Sequence, residues 1–147
     1  MRSFEKEVQE AIRVFDAGFS CAEAVTLTGM KALGIESDLI PKIATGFGGG
    51  VSYTKSLCGA VAGGILILGA RFGRQNISDD RSALLSSVQQ LIKGFRETFG
   101  SENCYDLIGV DFTTPEGKAE YKNRLHKEKC CNYVEFVLRT ALELARP

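Results

Sequence analysis

The sequence predicts an all-α protein, a compact bundle of about five to seven helices in a single domain spanning residues 1–147. Apolar residues recur at three- and four-residue intervals along most of the chain, which is the spacing of amphipathic helices. Alternation of apolar and polar residues, which would favour a strand, is confined to the short stretch 51–53. With 147 residues, 44% of them hydrophobic, the chain is long enough to bury a core without disulfide bonds.

The first part of the chain predicts three helices, over residues 3–16, 20–34 and 38–45. Ser20 is the expected N-cap of the second helix, and Glu23 stands three residues later, where it completes a capping box. The third helix would be short, with a proline in its first turn, where proline is tolerated.

A central helix is predicted over residues 58–72, which are apolar on nearly every side and so belong in the middle of the bundle. The preceding glycine run, residues 46–50, is expected to be a flexible loop rather than regular structure. Such a loop lets backbone N–H groups approach the sulfur of Cys58. The glycines expected to contact a bound cofactor are Gly48, Gly49 and Gly59.

The second part predicts a long amphipathic helix ending near residue 100, a short turn over residues 104–108, and a final helix over residues 127–145. Thr114 can cap the polar segment that begins at Pro115, between the turn and the final helix.

The composition of the chain bears on its partners and its location. Lysine plus arginine and aspartate plus glutamate number 18 each, and this balance gives no electrostatic reason to expect a nucleic-acid partner. The longest apolar stretch, residues 60–70, is about half the length of a membrane span. The polar N-terminal residues do not resemble a signal peptide. We therefore expect a cytoplasmic protein that binds neither nucleic acid nor membrane.

Five cysteines are the most informative residues. Cys21, Cys58 and Cys104 stand where helices are predicted to begin, and Cys130 and Cys131 lie near the start of the last helix. The positive end of the helix dipole favours a thiolate, which is the form that binds metal and attacks disulfides. In the reducing cytosol such cysteines favour metal binding or catalysis over structural bridges.

The wide spacing of the cysteines differs from the short pairs of zinc ribbons and thioredoxin sites, so the fold would have to bring them together. Four converging thiolates suit zinc or an iron–sulfur cluster. Two or three suit thiol–disulfide exchange, for which Cys58 and Cys21 are the candidate redox thiols, or a cluster with an open coordination position. The competing interpretation is that the cysteines are small, inert core residues.

One segment, Cys58-Gly59-Ala60-Val61-Ala62-Gly63, fits a CGAxxG motif. With Cys21 upstream, and Cys104 and Cys130 downstream, nearly the whole chain resembles the redox-active protein family named for its C, GCAxxG, C, C cysteine pattern. The resemblance implies that the family's four cysteines are Cys21, Cys58, Cys104 and one of Cys130 or Cys131. We favour Cys130, which shares a helical face with Val134 four residues later. The family implies redox activity and a prosthetic group such as an iron–sulfur cluster.

The predicted function is therefore redox chemistry at a four-cysteine site, through a bound iron–sulfur or other metal centre (Fe or Zn) or through thiol–disulfide exchange. The protein would then need a redox partner protein, and the sequence is also compatible with a homo-oligomer. Two alternatives stay open: a non-catalytic interaction module whose cysteines are structural, and a protein in which zinc only stabilises the fold.

A few polar residues near the cysteines are secondary candidates. His126, the lone histidine, lies four residues before Cys130, but its charged surroundings favour a solvent-exposed side chain over a ligand. Lys55 either lowers the pKa of Cys58 or is simply solvated. Tyr105 and Asp106 beside Cys104 are candidate proton donors, although Asp106 also fits as ordinary charge at a helix start.

Overall fold

The computed structural model describes residues 3–146, and within this range the protein is all-α, as predicted. It contains seven α-helices of five or more residues. Their bounds are α1 Glu5–Asp16, α2 Cys21–Ala32, α3 Gly59–Phe72, α4 Ser82–Phe99, α5 Cys104–Ile108, α6 Pro115–Glu120 and α7 Cys131–Leu144. The described residues form no strand, and their isolated β-bridge joins Leu57 to Asn103.

Helix α3 is the centre of the bundle, as its apolar sequence predicts, and it packs against α2, α4 and α7. Its residues Val61, Ile67 and Leu68 are fully buried. Glycine brings α2 close to it, since a Cβ atom at Gly63 would lie 2.9 Å from the carbonyl oxygen of Ala22. Gly63 therefore weakens this helix in isolation but allows α2 to pack closely against it in the fold.

The predicted capping box at the start of α2 is present. The hydroxyl of Ser20 accepts the N–H of Glu23 at 3.1 Å, and the Glu23 carboxylate accepts the N–H of Ser20 at 3.0 Å. The second oxygen of this carboxylate accepts the hydroxyl of Thr45 at 2.9 Å, which ties the following loop to the helix start. The helix was predicted to begin at Ser20 and begins at Cys21, because Ser20 is the N-cap and not the first helical residue.

The short third helix was predicted in the wrong place. The structure has a 3-10 helix over Lys42–Phe47, with Pro41 as its N-cap rather than in its first turn. A residue that precedes proline is disfavoured in the helical region, so the segment before Pro41 does not start a helix.

The glycine run was also predicted wrongly as a flexible loop. Residues 49–53 all have positive φ, between 54° and 75°, and form a turn of left-handed helix. Its hydrogen bonds run from the N–H of Ser52 to the oxygen of Gly48, and from the N–H of Tyr53 to that of Gly49. For the non-glycine residues this conformation costs about 1–2 kcal/mol each. Strain of this kind clusters at functional sites.

The C-terminal region is one unbroken helical stretch rather than the two predicted pieces. Between α6 and α7 lies a π-helix, Tyr121–Cys130, so the expected α-helical start at residue 127 is wrong. A π-helix bonds residues five apart, and it is often found at functional sites. Within residues 3–146, none of the helices combines the length and hydropathy needed to cross a membrane.

Candidate functional site

Four of the five cysteines line one cavity of about 390 Å³. Cys21 is the first residue of α2, Cys58 is the N-cap of α3, Cys104 is the first residue of α5, and Cys130 ends the π-helix. All five cysteines are free thiols. The fold thus brings together residues that are up to 109 positions apart in the sequence, from Cys21 to Cys130.

Two of these cysteines are aligned by a short backbone pairing. The N–H of Cys58 donates to the carbonyl oxygen of Glu102 at 2.8 Å, and the N–H of Cys104 donates to that of Ser56, also at 2.8 Å. The bridge between Leu57 and Asn103 lies between these two hydrogen bonds. The starts of α3 and α5 are therefore held side by side.

The backbone encloses the sulfur of Cys21 closely. Burial raises the pKa of this thiol, and the nearby backbone N–H groups of Ala22, Gly49 and Ala60 oppose that rise in part. A Cβ atom at Gly59 would lie 2.6 Å from the same sulfur, so only glycine fits there without displacing it. The three glycines that were predicted to contact a cofactor all line the cavity: Gly48, Gly49 and Gly59.

The left-handed turn forms another part of the wall. At Gly50, where φ is 75°, a Cβ atom would lie 2.7 Å from the Cβ of Cys104. The turn therefore combines a backbone conformation that favours glycine with a contact that excludes larger residues. This accounts for glycine at position 50, and Gly49 also has positive φ.

The expectation that helix starts lower the thiol pKa values is wrong here. Burial raises the pKa of Cys21, Cys58 and Cys130, and it raises the pKa of Cys104 to about 12. Neighbouring cysteines add repulsion between thiolates, as Cys21 does for Cys58 and Cys104. The helix-end N–H groups act in the opposite direction, but the loss of water outweighs them.

Within residues 3–146, no cationic side chain lines the cavity to stabilise thiolates. Among the described residues that line it, none is a lysine, arginine or histidine, and Glu23 is the charged one. Lys55 does not act on Cys58: its ammonium group pairs with Asp111 at 3.6 Å and lies 4.6 Å from the ring centre of Tyr105.

The two residues that follow Cys104 have structural partners. Asp106 accepts the hydroxyl of Ser101 at 3.1 Å, and its backbone N–H is capped by Asn103. Tyr105 is 41% exposed beneath Lys55. Neither residue lines the cavity, so the structure offers no support for the predicted proton donors.

Aromatic side chains that the sequence did not single out form much of the remaining wall. Tyr53 stacks on Phe112 with ring centres 5.1 Å apart, and Phe112 meets Tyr121 edge-on at 5.0 Å. Tyr133 completes this group. Burial raises the pKa of Tyr121 and raises that of Tyr133 to about 12, so both hydroxyls stay neutral. Tyr121 lies in the π-helix and Tyr133 in α7, and the helical period of the sequence did not define where these two elements meet.

The spacing of the sulfur atoms limits what they can bind. A zinc ion with Zn–S bonds of about 2.3 Å holds its sulfur ligands no more than about 4.6 Å apart. Across residues 3–146, no three of the four cavity cysteines have their sulfur atoms within 4.8 Å of one another. The cysteines thus surround the cavity without converging on a single point.

The π-helix separates the two adjacent cysteines. Cys130 is buried at the cavity, in agreement with the preference for Cys130, whereas Cys131 lies with Asp16 and His126 on another side of the helix. The expectation that His126 and Cys130 would share a helical face assumed α-helical spacing. In a π-helix the neighbour one turn later is five residues away, which is Cys131.

His126 is not the solvent-exposed residue that its surroundings predicted. Its side chain is 22% exposed and stacks on Phe15 with ring centres 3.8 Å apart. Its Nε2 atom lies 2.9 Å from an Asp16 carboxylate oxygen, and its Nδ1 atom lies 3.1 Å from the hydroxyl of Tyr121. The five-residue spacing of Tyr121, His126 and Cys131 was the sequence signal for this cluster.

Together, the fold and this cavity define a class, that of all-α proteins with a pocket lined by four cysteines. The family model described as "Putative redox-active protein (C_GCAxxG_C_C)" matches residues 19–144, and the chain belongs to this family. This confirms the resemblance and supports a redox-related role. In this chain Cys58 precedes Gly59, so the first two letters of the family's GCAxxG stand in reverse order. No curated protein and no solved structure matched the chain.

Proposed function

We propose that the protein transfers electrons through an iron–sulfur cluster bound by Cys21, Cys58, Cys104 and Cys130. The observation that carries the proposal is that these four cysteines, the ones in the family's pattern, line one cavity to which residues 3–146 contribute no cationic side chain. The charge of the cavity lining and the spacing of the sulfur atoms also support it.

The four thiols need a positive charge nearby in order to ionise. Burial and mutual repulsion raise their pKa values, and unpaired thiolates in such a cavity would be costly. A nucleophilic cysteine needs the opposite environment, with a lowered pKa and a cation nearby. A metal centre supplies the missing positive charge, and coordination deprotonates a thiol outright.

The distances between the sulfur atoms bear on how many metal atoms the site would hold. No three of the four sulfurs lie within 4.8 Å of one another, which is wider than the ligand spacing of one ion, whereas in a cluster the cysteines bind different iron atoms around a common core. A cavity of about 390 Å³ also falls in the range of small-ligand sites. These features favour a cluster over a structural zinc ion.

Within this proposal the chain's own groups have defined roles. Backbone N–H groups at Cys21 and Cys58 would hydrogen-bond the ligand sulfurs and raise the reduction potential. The aromatic wall of Tyr53, Phe112 and Tyr121 would limit the access of water. When bound, the cluster would supply one-electron transfer to and from a redox partner protein. We propose that this transfer takes place in the cytoplasm.

The proposal is tested on protein purified without oxygen, by measuring iron, acid-labile sulfide and absorption near about 400 nm. We expect iron and sulfide in the wild type and loss of most of both in Cys58→Ser. Cys131→Ser is the matched control, because this adjacent cysteine lies outside the cavity, and it should retain the cluster. Equal iron in both variants, with helix content preserved by circular dichroism, would reject the proposed ligand set.

A second candidate function uses the same residues without a cluster. Cys21 touches the backbone immediately after Cys58, so the two thiols are neighbours in the cavity. Forming a disulfide between them would release two protons and pass two electrons to the partner protein. This candidate predicts iron-free protein in which one oxidant equivalent consumes two thiols, with Cys21 and Cys58 joined in the peptide map.

A further inference from the structure

We propose that Asp16, His126 and Cys131 form a second metal site, outside the four-cysteine cavity, that binds a divalent transition-metal ion such as zinc. One carboxylate oxygen, one imidazole nitrogen and one thiol sulfur lie within 4.8 Å of one another. We call this group the outer site. It is independent of the cluster proposed above.

The donor set of the outer site matches the chemistry of zinc. Zinc binds cysteine sulfur, histidine nitrogen and carboxylate oxygen at about 2.0–2.3 Å. Ligand atoms within 4.8 Å can reach such distances with small side-chain movements. Three protein ligands leave a fourth position for water or another molecule, as in zinc sites that are not purely structural.

The π-helix builds the outer site. Tyr121, His126 and Cys131 follow one another at intervals of five residues, and all of them lie in the π-helix or directly after it. In an α-helix, residues five apart point in directions about 140° different, because each residue turns the chain by about 100°. The π-helix bonds residues five apart and so brings the three side chains near one another. Elements of this kind are frequent at functional sites, and a metal site is such a function.

The histidine is already held in an orientation suited to a ligand. Stacking on Phe15 fixes the plane of the His126 ring, and Nε2 faces Asp16. Tyr121 contacts Nδ1 at 3.1 Å, so its oxygen can accept the Nδ1 proton when Nε2 binds a metal. Metal-binding histidines almost always donate their second ring nitrogen to a partner of this kind.

The ligands come from two parts of the fold that are far apart in sequence. Asp16 is the last residue of α1, and Cys131 is the first residue of α7, a helix against which α1 packs. An ion pair between Asp16 and His126 would account for two of the three groups. It gives no role to the thiol of Cys131, which a metal ion would use.

The test is cobalt(II) binding by chelator-treated protein under anaerobic conditions, followed through thiolate-to-cobalt charge-transfer absorption and reversed by added zinc. We expect Cys131→Ser and His126→Gln each to lose one bound cobalt per chain. Tyr121→Phe should keep the stoichiometry but weaken binding about 10–100-fold, as removal of a hydrogen bond to a metal ligand typically does. The double variant Cys21→Ser/Cys58→Ser should keep the cobalt bound by the outer site, which separates the outer site from the cavity.

A second measurement covers the case in which the double variant fails to fold. Zinc should slow alkylation of Cys131 in the wild type and not in Asp16→Asn, as read by fragmentation of the peptide that contains both cysteines. Cobalt stoichiometry unchanged in both Cys131→Ser and His126→Gln would overturn the proposal. So would alkylation of Cys131 at one rate with and without zinc.

Discussion

Replacing Gly59 by alanine tests the cavity geometry with a single methyl group. The added Cβ atom would lie 2.6 Å from the Cys21 sulfur and 3.1 Å from the carbonyl oxygen of Phe47. Ordinary contact begins at about 3.5 Å, so the sulfur would have to move by roughly 1 Å. Metal–ligand distances tolerate only about 0.2 Å. Gly59→Ala should therefore prevent normal cluster binding.

The effect on stability can be bounded in the same way. Overpacking costs about 1–3 kcal/mol, and the better helix propensity of alanine returns at most about 1 kcal/mol. We expect a net loss on the order of 1 kcal/mol, which for a chain of this size lowers Tm by about 3–4 °C. The assays are iron and sulfide content after anaerobic purification and a thermal unfolding curve of the metal-free protein.

The same helix offers a matched control in Gly69→Ala. A Cβ atom at Gly69 would meet nothing within 4 Å, and the residue lies inside α3 away from the cavity. This variant should bind iron normally and be more stable by up to about 1 kcal/mol. If Gly59→Ala bound iron as well as Gly69→Ala does, the close contact between Gly59 and Cys21 would not matter for the site, and the reasoning would fail.

Three further predictions follow from the fold and the site. Ser20→Ala removes the cap of α2 and should lower the free energy of unfolding by about 1 kcal/mol, measured by denaturant titration. Gly50→Ala places a side chain at φ 75° and against Cys104, so it should reduce both Tm and iron content, and unchanged values of both would contradict the described turn. In metal-free protein the raised pKa of Cys104 means that the folded state holds its proton more tightly than the unfolded state. Its contribution to stability is therefore complete below the ordinary value of 9.0 and is lost as pH rises towards about 12. Unfolding curves between these pH values should show falling stability, and a flat profile would argue against burial of the thiols.

Much of the fold was predictable because helical periodicity records burial directly. The apolar residues of α3 predict its central place, and Ser20 with Glu23 predicts the start of α2. These are local signals, set by residues within one turn of one another. The family motif likewise predicted which cysteines belong together, and the structure places all four at one cavity.

What the sequence could not define depends on contacts between distant segments or on rare backbone conformations. The helix-start positions of Cys21 and Cys58 were predicted correctly, yet their pKa values shift in the opposite direction, because burial is decided by the whole fold. The left-handed turn at residues 49–53 lies outside the ordinary helical and strand patterns. Lys55 could be placed near Cys58 in sequence, but its partner Asp111 is 56 residues away.

The adjacent pair Cys130 and Cys131 shows how one irregular element can assign neighbouring residues to different chemistry. In an α-helix, a histidine at position 126 would lie nearest Cys130, four residues on, and both would face the cavity or both would face away. The π-helix shifts that relation by one residue, so that His126 meets Cys131 while Cys130 reaches the cavity. If this segment were α-helical, either Cys130 would leave the cavity or Cys131 would leave His126. We therefore expect the π-helix to have a function of its own. It keeps the buried cysteine of the cavity apart from the partly exposed cysteine of the outer site.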